Sequence, residues 1–185
     1  MFQKETIFST INLVRIALMA AVLCILSPIS LPLPFTPIPL SLGVLAVLLT
    51  SYVLPPLSSL MAVLIFLLIG AVGMPVFSGY AGGFEKLSGP TGGYLIGFLF
   101  LSYICACFFH GSSKRWLHLI GILLGLAVCY LLGTAWFSLQ QQMGFFKALS
   151  LCVLPFLPGD CLKIIFVLIL GPEIQKRIRK AAAFS

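Results

Sequence analysis

The residues with the clearest chemical potential are an acid and a base three positions apart, Asp160 and Lys163. Asp160 is the only aspartate in the sequence, and Lys163 lies within a long apolar run. Residues i and i+3 share a face of a helix, so the two side chains can neutralise each other or offer a ligand both an acceptor and a donor. Because ionisable groups in apolar surroundings usually mark a functional site, we favour a binding role over a purely structural ion pair.

A predicted helix break comes just before this pair, in the sequence PFLPGDCLK. Pro155 and Pro158 interrupt helical hydrogen bonding, and Gly159 permits a sharp turn. Asp160 is then expected near the start of the continuing helix, where the helix dipole favours a carboxylate. Broken helices at membrane depth typically line cavities in transporters, so the sequence predicts a polar binding site at an interrupted span.

The composition indicates an integral membrane protein. Of the 185 residues, 61% are hydrophobic and 8% are charged, against about 25% charged residues in a typical soluble domain. The apolar runs are long and do not alternate with polar residues, which favours an all-α bundle over a β-barrel. A single transmembrane domain, residues 1–185, is predicted, with six spans at residues 12–29, 40–54, 57–72, 94–109, 117–137 and 148–170.

The net charge of +7 is distributed in a way that predicts topology rather than nucleic-acid binding. The basic residues cluster at the ends of apolar runs, as the positive-inside rule expects. Placing both termini in the cytoplasm leaves only Lys86 and Lys147 outside, and it predicts a multi-pass protein of the cytoplasmic membrane. The cations assigned to the inner side are Lys4, Arg15, Lys114, Arg115, Lys176, Arg177, Arg179 and Lys180.

Two unusual loops fall on the predicted outer side, beside the helix break. The first, SLPLPFTPIPLS, carries Thr36 and four prolines, which favour a stiff extended chain. The second runs from Gly73 to Tyr94 and combines glycines with aromatic residues. Backbone amides beside aromatic rings suit a small, partly apolar ligand, so this loop is predicted to form a cavity wall.

Other motifs exclude functions or leave alternatives open. The six cysteines form no CxxC pair, so neither a metal site nor a disulfide framework is predicted. GPTGG is not a phosphate-binding loop, so ATP-driven work would need a partner. Ala17-x-x-x-Ala21 places two small residues one turn apart. From this spacing alone, packing within the subunit is favoured over a docking face for another protein.

Two long motifs, GMPVFSGYAGGFEKLSGPTGGYLIGF and LPFLPGDCLK, resemble the BioY family of biotin-specific substrate-binding subunits of energy-coupling-factor (ECF) transporters. The resemblance covers nearly the whole chain. It implies a six-helix bundle that binds biotin from outside with high affinity, with Asp160 and Lys163 contacting the ligand. No enzyme activity or cofactor is expected, because no histidine or second carboxylate lies near this pair in the sequence and no catalytic motif is present. The resemblance also implies that the Ala17/Ala21 face docks on a transmembrane coupling protein served by two ATPases, which reverses the preference from spacing.

The resemblance sets expectations for the remaining ligand contacts. Asp160 and Lys163 suit the N–H and C=O groups of the biotin ureido ring, and an aromatic side chain suits its thioether ring. The carboxylate could take amides of the glycine loop, and the orientation of biotin stays open. The alternatives are another vitamin, or a membrane enzyme that uses Asp160 or Lys163 in catalysis. The other predicted ligand-binding residues are Thr36, Phe77, Gly82, Gly83, Gly92, Gly93 and Tyr94.

Overall fold

The computed structural model describes residues 9–31, 40–112 and 114–183, and their architecture is all-helical apart from one short ribbon. The strands β1 (Ser30–Leu31) and β2 (Leu40–Ser41) pair antiparallel, with Ser30 opposite Ser41. The predicted all-α class is therefore confirmed. The helices are α1 (Thr10–Leu26), α2 (Gly43–Val53), α3 (Pro56–Ala71), α4 (Phe84–Ser88), α5 (Gly92–Gly111), α6 (Arg115–Gln140), α7 (Phe145–Cys152) and α8 (Leu157–Ala183).

The helices coincide closely with the apolar runs of the sequence. The bounds of α1, α2, α3, α5 and α6 lie within three residues of the first five predicted spans. By length and apolarity, α5 and α6 can each cross a membrane, and α7 with residues 157–177 forms a further candidate bent by 56°. The helices α1, α2 and α3 are apolar but shorter, so the count of six spans stays a prediction.

The helix break differs from the prediction in its position. Residues 153–156 separate α7 from α8, whereas Pro158 and Gly159 lie inside the first turn of α8. Proline is tolerated there because its missing N–H would be unpaired in any case. Gly159 therefore does not form the turn, but Asp160 does lie in the first turn of the continuing helix, as expected.

The hairpin of α5 and α6 forms the centre of the bundle, and glycines allow the two helices to approach closely. A Cβ atom on Gly97 would lie 2.8 Å from Cys129 Sγ, and one on Gly133 would lie 2.3 Å from the ring of Tyr94. Each of these distances is shorter than van der Waals contact. Because Gly97 and Gly133 have no side chains, Cys129 and the ring of Tyr94 can pack directly against the backbone of the facing helix.

The bundle has two chemically different ends. At the basic end, defined by Arg15, Lys114, Arg115, Lys176 and Arg177, Gln175 Nε2 donates to the Phe109 carbonyl at 3.3 Å. At the loop end, defined by residues 27–31, 72–91 and 139–157, Trp136 Nε1 donates to the Gly89 carbonyl at 2.9 Å. Lys86 and Lys147 lie at the loop end, so these seven cations form the two groups that the sequence predicts, while Lys4 lies outside the described residues.

A buried histidine joins three helices at the basic end. His118 Nε2 lies 2.8 Å from the Ser112 carbonyl, so this nitrogen donates, and Nδ1 accepts from Tyr52 Oη at 3.1 Å. The ring of Tyr52 stacks on that of Phe109 with centroids 3.7 Å apart. These contacts tie the end of α2 to the end of α5 and the start of α6.

Removing the Tyr52 hydroxyl is expected to destabilise this junction. Tyr52→Phe keeps the stacked ring but leaves His118 Nδ1 buried without its donor, which costs about 1–3 kcal/mol. The melting temperature of the detergent-purified chain should fall measurably. Tyr80→Phe is the matched control, because Tyr80 is exposed, and it should leave the melting temperature unchanged. Equal melting temperatures for both variants would show that the Tyr52–His118 bond contributes nothing.

Candidate functional site

A cavity opens at the loop end of the bundle, between α2, α5, α6 and α8. The space between its walls is about 640 Å³ when the open solvent at its mouth is included. Its polar lining comes from six hydroxyl residues and one ion pair: Ser27, Ser41, Ser78, Thr91, Tyr94, Tyr130, Asp160 and Lys163. A polar set of this kind on an otherwise apolar wall is typical of a site for a small organic ligand.

The ion pair is buried and held by three separate elements. Lys163 Nζ donates to Asp160 Oδ1 at 2.9 Å and to the Ser41 carbonyl of β2 at 2.8 Å. Tyr130 Oη of α6 donates to Asp160 Oδ2. The residues Asp160 and Lys163 are only 4% and 9% exposed. The two charges therefore neutralise each other and also face the cavity, so the two roles considered for the pair are compatible.

The pair keeps hydrogen-bonding capacity for a ligand. A lysine ammonium has three N–H donors, and Asp160 and Ser41 take two of those of Lys163. An ionised carboxylate offers about four acceptor sites, and Lys163 and Tyr130 take one each on Asp160. A neutral group that carries adjacent N–H and C=O functions can therefore bind without breaking the ion pair.

Apolar and aromatic side chains form the rest of the wall. Tyr94, Leu95 and Phe98 line it from α5, and Phe156 lines it from the helix break. The Tyr94 hydroxyl lies 3.2 Å from Thr134 Oγ1, so Tyr94 is anchored to α6. These surfaces suit the apolar part of a ligand whose polar group lies at Asp160 and Lys163.

Three of the predicted ligand-binding residues, Tyr94, Asp160 and Lys163, come together at this cavity. Phe77 is absent from its lining residues and is fully buried, with its ring packed edge-on against Phe66 at a centroid distance of 5.5 Å. It therefore contributes to the core beneath the glycine loop. Thr36 lies outside the described residues.

The four predicted glycines are not among the lining residues either, and three of them have close packing neighbours. A Cβ on Gly82 would meet the carbonyl oxygens of Met74 and Gly73 at 2.2 and 2.7 Å. For Gly92 and Gly93 the neighbours are the Leu87 carbonyl and the Trp136 side chain. Gly83 has a positive φ of 93°, and a Cβ there would meet nothing within 4 Å. These positions require glycine for backbone shape and close approach.

Several lining residues were missed by sequence reasoning, above all Tyr130. Its phenol lies in the middle of an apolar helix, and a buried tyrosine hydroxyl usually finds a partner, so this signal was present in the sequence. No comparable signal marks Ser27, Ser41 or Thr91, whose hydroxyls lie at helix and strand ends that only the fold brings together.

Ala17 and Ala21 lie on the outward side of α1. Both residues are exposed, while Ile16, Ala20 and Leu23 on the other side of the helix are buried. The interpretation drawn from spacing alone, packing within the subunit, is therefore wrong. The i, i+4 spacing does not distinguish an inner face from an outer one, because small residues suit both.

Comparison with known proteins identifies the family. The model of the BioY family matches residues 2–180. The chain belongs to the BioY family. A BioY relative from Pyrococcus horikoshii, "Probable biotin transporter BioY", is 38% identical over 139 residues, which cover 75% of this chain and 82% of the relative. "Biotin transporter BioY2" from Lactococcus lactis is 34% identical over 165 residues, covering 86% and 87% of the two chains.

A solved structure agrees with this family assignment. The crystal structure at 2.1 Å of the S-component for biotin from an ECF-type ABC transporter superposes with a TM-score of 0.83. It is 28% identical in sequence, and the match covers 95% of each chain. The BioY-family fold therefore extends over almost the whole of this chain, including the elements that form the cavity.

Proposed function

We propose that this chain binds biotin in the loop-end cavity and serves as the substrate-specific subunit of an ECF-type transporter for biotin uptake. The observation that carries the proposal is the structural match to an S-component for biotin, combined with a buried acid–base pair that lines a cavity of suitable chemistry. The relatives are named as biotin transporters, which supports this ligand over another vitamin and a transport function over catalysis.

The ureido ring of biotin fits the hydrogen-bonding capacity of the ion pair. Its N–H groups can donate to Asp160, and its carbonyl oxygen can accept from the remaining N–H of Lys163. Tyr130 holds the second carboxylate oxygen and so fixes the direction in which Asp160 accepts. Tyr94 and Phe98 line the cavity and supply aromatic surface for the apolar part of the ligand.

The proposed topology has six spans, both termini in the cytoplasm and the cavity open to the outside of the cytoplasmic membrane. The charge separation between the basic end and the loop end supports this orientation. The helices α1, α2 and α3 are apolar but short for membrane-spanning segments. In the proposed topology, each of them spans the membrane together with its flanking residues.

The exposed face of α1 at Ala17 and Ala21 is the proposed docking site for a transmembrane coupling protein, which two ATPase subunits would serve. The outward position of both alanines supports a contact outside the subunit, and small residues allow two helices to approach closely in lipid. Work driven by ATP fits a partner better than this chain, whose sequence carries no phosphate-binding loop.

Uptake of labelled biotin by cells that lack their own biotin transporter tests the proposed function. The parent chain should support saturable uptake that unlabelled biotin competes away, either alone or together with a coupling protein and its ATPases. Lys163→Met, which keeps a long apolar stem but removes the ammonium, should reduce uptake to near background. The proposal would be contradicted if the parent chain showed only background uptake both alone and together with a coupling protein and its ATPases.

A further inference from the structure

A buried polar pair joins α1 to α3, far from the cavity. The helix α1 packs on α3 and α2 and carries the only asparagine of the sequence, Asn12. This residue is 2% exposed, and its Nδ2 donates to Ser58 Oγ of α3 at 2.9 Å. The Ser58 hydroxyl also lies 3.3 Å from Asn12 Oδ1. The two residues are 46 apart in the sequence, so the pair links two separate helices.

Apolar packing by itself does not fix the rotation of α1 about its own axis, because both of its sides are apolar. The residues buried beside Asn12 are Ile16, Met19, Ala20 and Leu23, and the large exposed ones include Leu13, Val14, Leu18 and Ile25. Lipid tails are as apolar as leucine, so burying one side rather than the other gains little free energy in a membrane. A polar residue with a single partner can select one rotation, as one buried asparagine selects the register of a coiled coil.

Asn12 lies on the side of α1 opposite to the proposed docking face. With 3.6 residues per turn, Ala17 lies about 140° and Ala21 about 180° around the helix from Asn12, and both alanines are exposed. A rotation by one residue position, about 100°, would break the bond to Ser58 and bring Leu18 to the place of Ala17. A large side chain there would prevent the close approach of helices that small residues allow.

We propose that Asn12 is a positioning residue for partner docking, a role that rests on the proposed docking of the α1 face. Its bond to Ser58 holds α1 in the rotation that presents Ala17 and Ala21 to the transmembrane coupling protein. The cavity lies at the other end of α1, where Ser27 lines it, about 22 Å from Asn12 at 1.5 Å per residue. The pair therefore acts on docking and leaves ligand binding unchanged.

The test measures the affinity of the detergent-purified chain for the purified complex of the coupling protein and its two ATPases from the same organism. Asn12→Leu keeps the size of the side chain but removes its hydrogen-bonding groups. It should weaken docking by about three- to twentyfold, the range that one interhelical hydrogen bond supplies in a membrane, and Ser58→Ala should do the same. The double variant Asn12→Ser with Ser58→Asn exchanges the two groups and should restore docking. Affinity for biotin should equal that of the parent in all three variants.

Ser51→Ala separates positioning from a general loss of stability. Ser51 is fully buried, and its Oγ donates to the Ser102 carbonyl of α5 at 3.2 Å, so this variant loses an interhelical bond that does not involve α1. Its melting temperature should fall, while its docking affinity should stay at the parent value. Parent-like docking by Asn12→Leu, or an equal loss of docking in Ser51→Ala, would overturn the positioning role.

Ala17→Leu distinguishes a failure of the positioning role from a failure of the proposed docking face. This substitution places a large side chain on that face and should abolish docking, although Asn12 keeps its bond to Ser58. If the parent does not dock, or if Ala17→Leu docks as tightly as the parent, the proposed docking face is wrong and the role of Asn12 falls with it. Loss of docking in Ala17→Leu without any loss in Asn12→Leu would overturn the role of Asn12 alone.

Discussion

Asp160→Asn is expected to weaken biotin binding by about a hundredfold, because a hydrogen bond to a charged group contributes about 1.5–3 kcal/mol and more than one such bond is affected. The substitution keeps the size of the side chain but removes the charge that accepts from Lys163 and Tyr130 and, in the proposed complex, from the ureido N–H groups. It also leaves the Lys163 ammonium, which is 9% exposed, without its counter-ion. Breaking a buried pair costs about 3–5 kcal/mol, so the unliganded protein should also melt at a lower temperature.

A second acid–base pair on the same helix provides the matched control. Glu173 and Lys176 also lie i and i+3 apart on α8, with their charged atoms 3.4 Å apart, but their side chains are 57% and 68% exposed. Exposed pairs contribute about 0–1 kcal/mol, so Glu173→Gln should alter neither biotin affinity nor melting temperature. Parent-like biotin binding by Asp160→Asn would show that the buried pair is structural and that the ligand binds elsewhere.

Gly92→Ala is expected to be the most destabilising of the small substitutions in the loop-end region. A Cβ atom at this position would lie 1.7 Å from the Leu87 carbonyl oxygen and 2.7 Å from its carbon. These are backbone atoms, so no side-chain rotation relieves the clash, and α4 must move away from α5. Overpacking of this kind costs about 1–3 kcal/mol and occasionally more, and the melting temperature in detergent should fall by several degrees.

The opposite end of the same helix offers the control for this substitution. Gly111 is the last residue of α5, and a Cβ there would meet nothing within 4 Å. Alanine is favoured over glycine in a helix by about 0.5–1 kcal/mol, so Gly111→Ala should be neutral or slightly stabilising. Equal melting temperatures for the two alanine variants would contradict the packing role assigned to Gly92.

The parts of the molecule that could be predicted from sequence are those that depend on local chemistry. Long apolar runs located α1, α2, α3, α5 and α6 to within three residues, and the buried pair of Asp160 and Lys163 was identified from its spacing and surroundings. The prolines predicted a break between α7 and α8, but the predicted position of that break was wrong by a few residues. Proline is as acceptable in the first turn of a helix as before it, so a proline does not locate the helix start.

The parts that could not be predicted depend on contacts between distant segments. Tyr130 and Asp160 are 30 residues apart, and Ser41 and Lys163 are 122 apart, so no local pattern links them. Glycine was a second source of error. A sequence does not distinguish a glycine that leaves room for a ligand from a glycine that lets a neighbouring helix pack closely. Gly92 and Gly93 are of the second kind.

Calorimetric titration of the detergent-purified chain with biotin shows directly whether the loop-end cavity is a biotin site, with thiamine and riboflavin as controls. We expect saturable binding of one biotin per chain at micromolar protein, and no heat of binding with the two other vitamins. Absence of binding with biotin, or equal binding of all three vitamins, would contradict the assignment of the loop-end cavity as a biotin site.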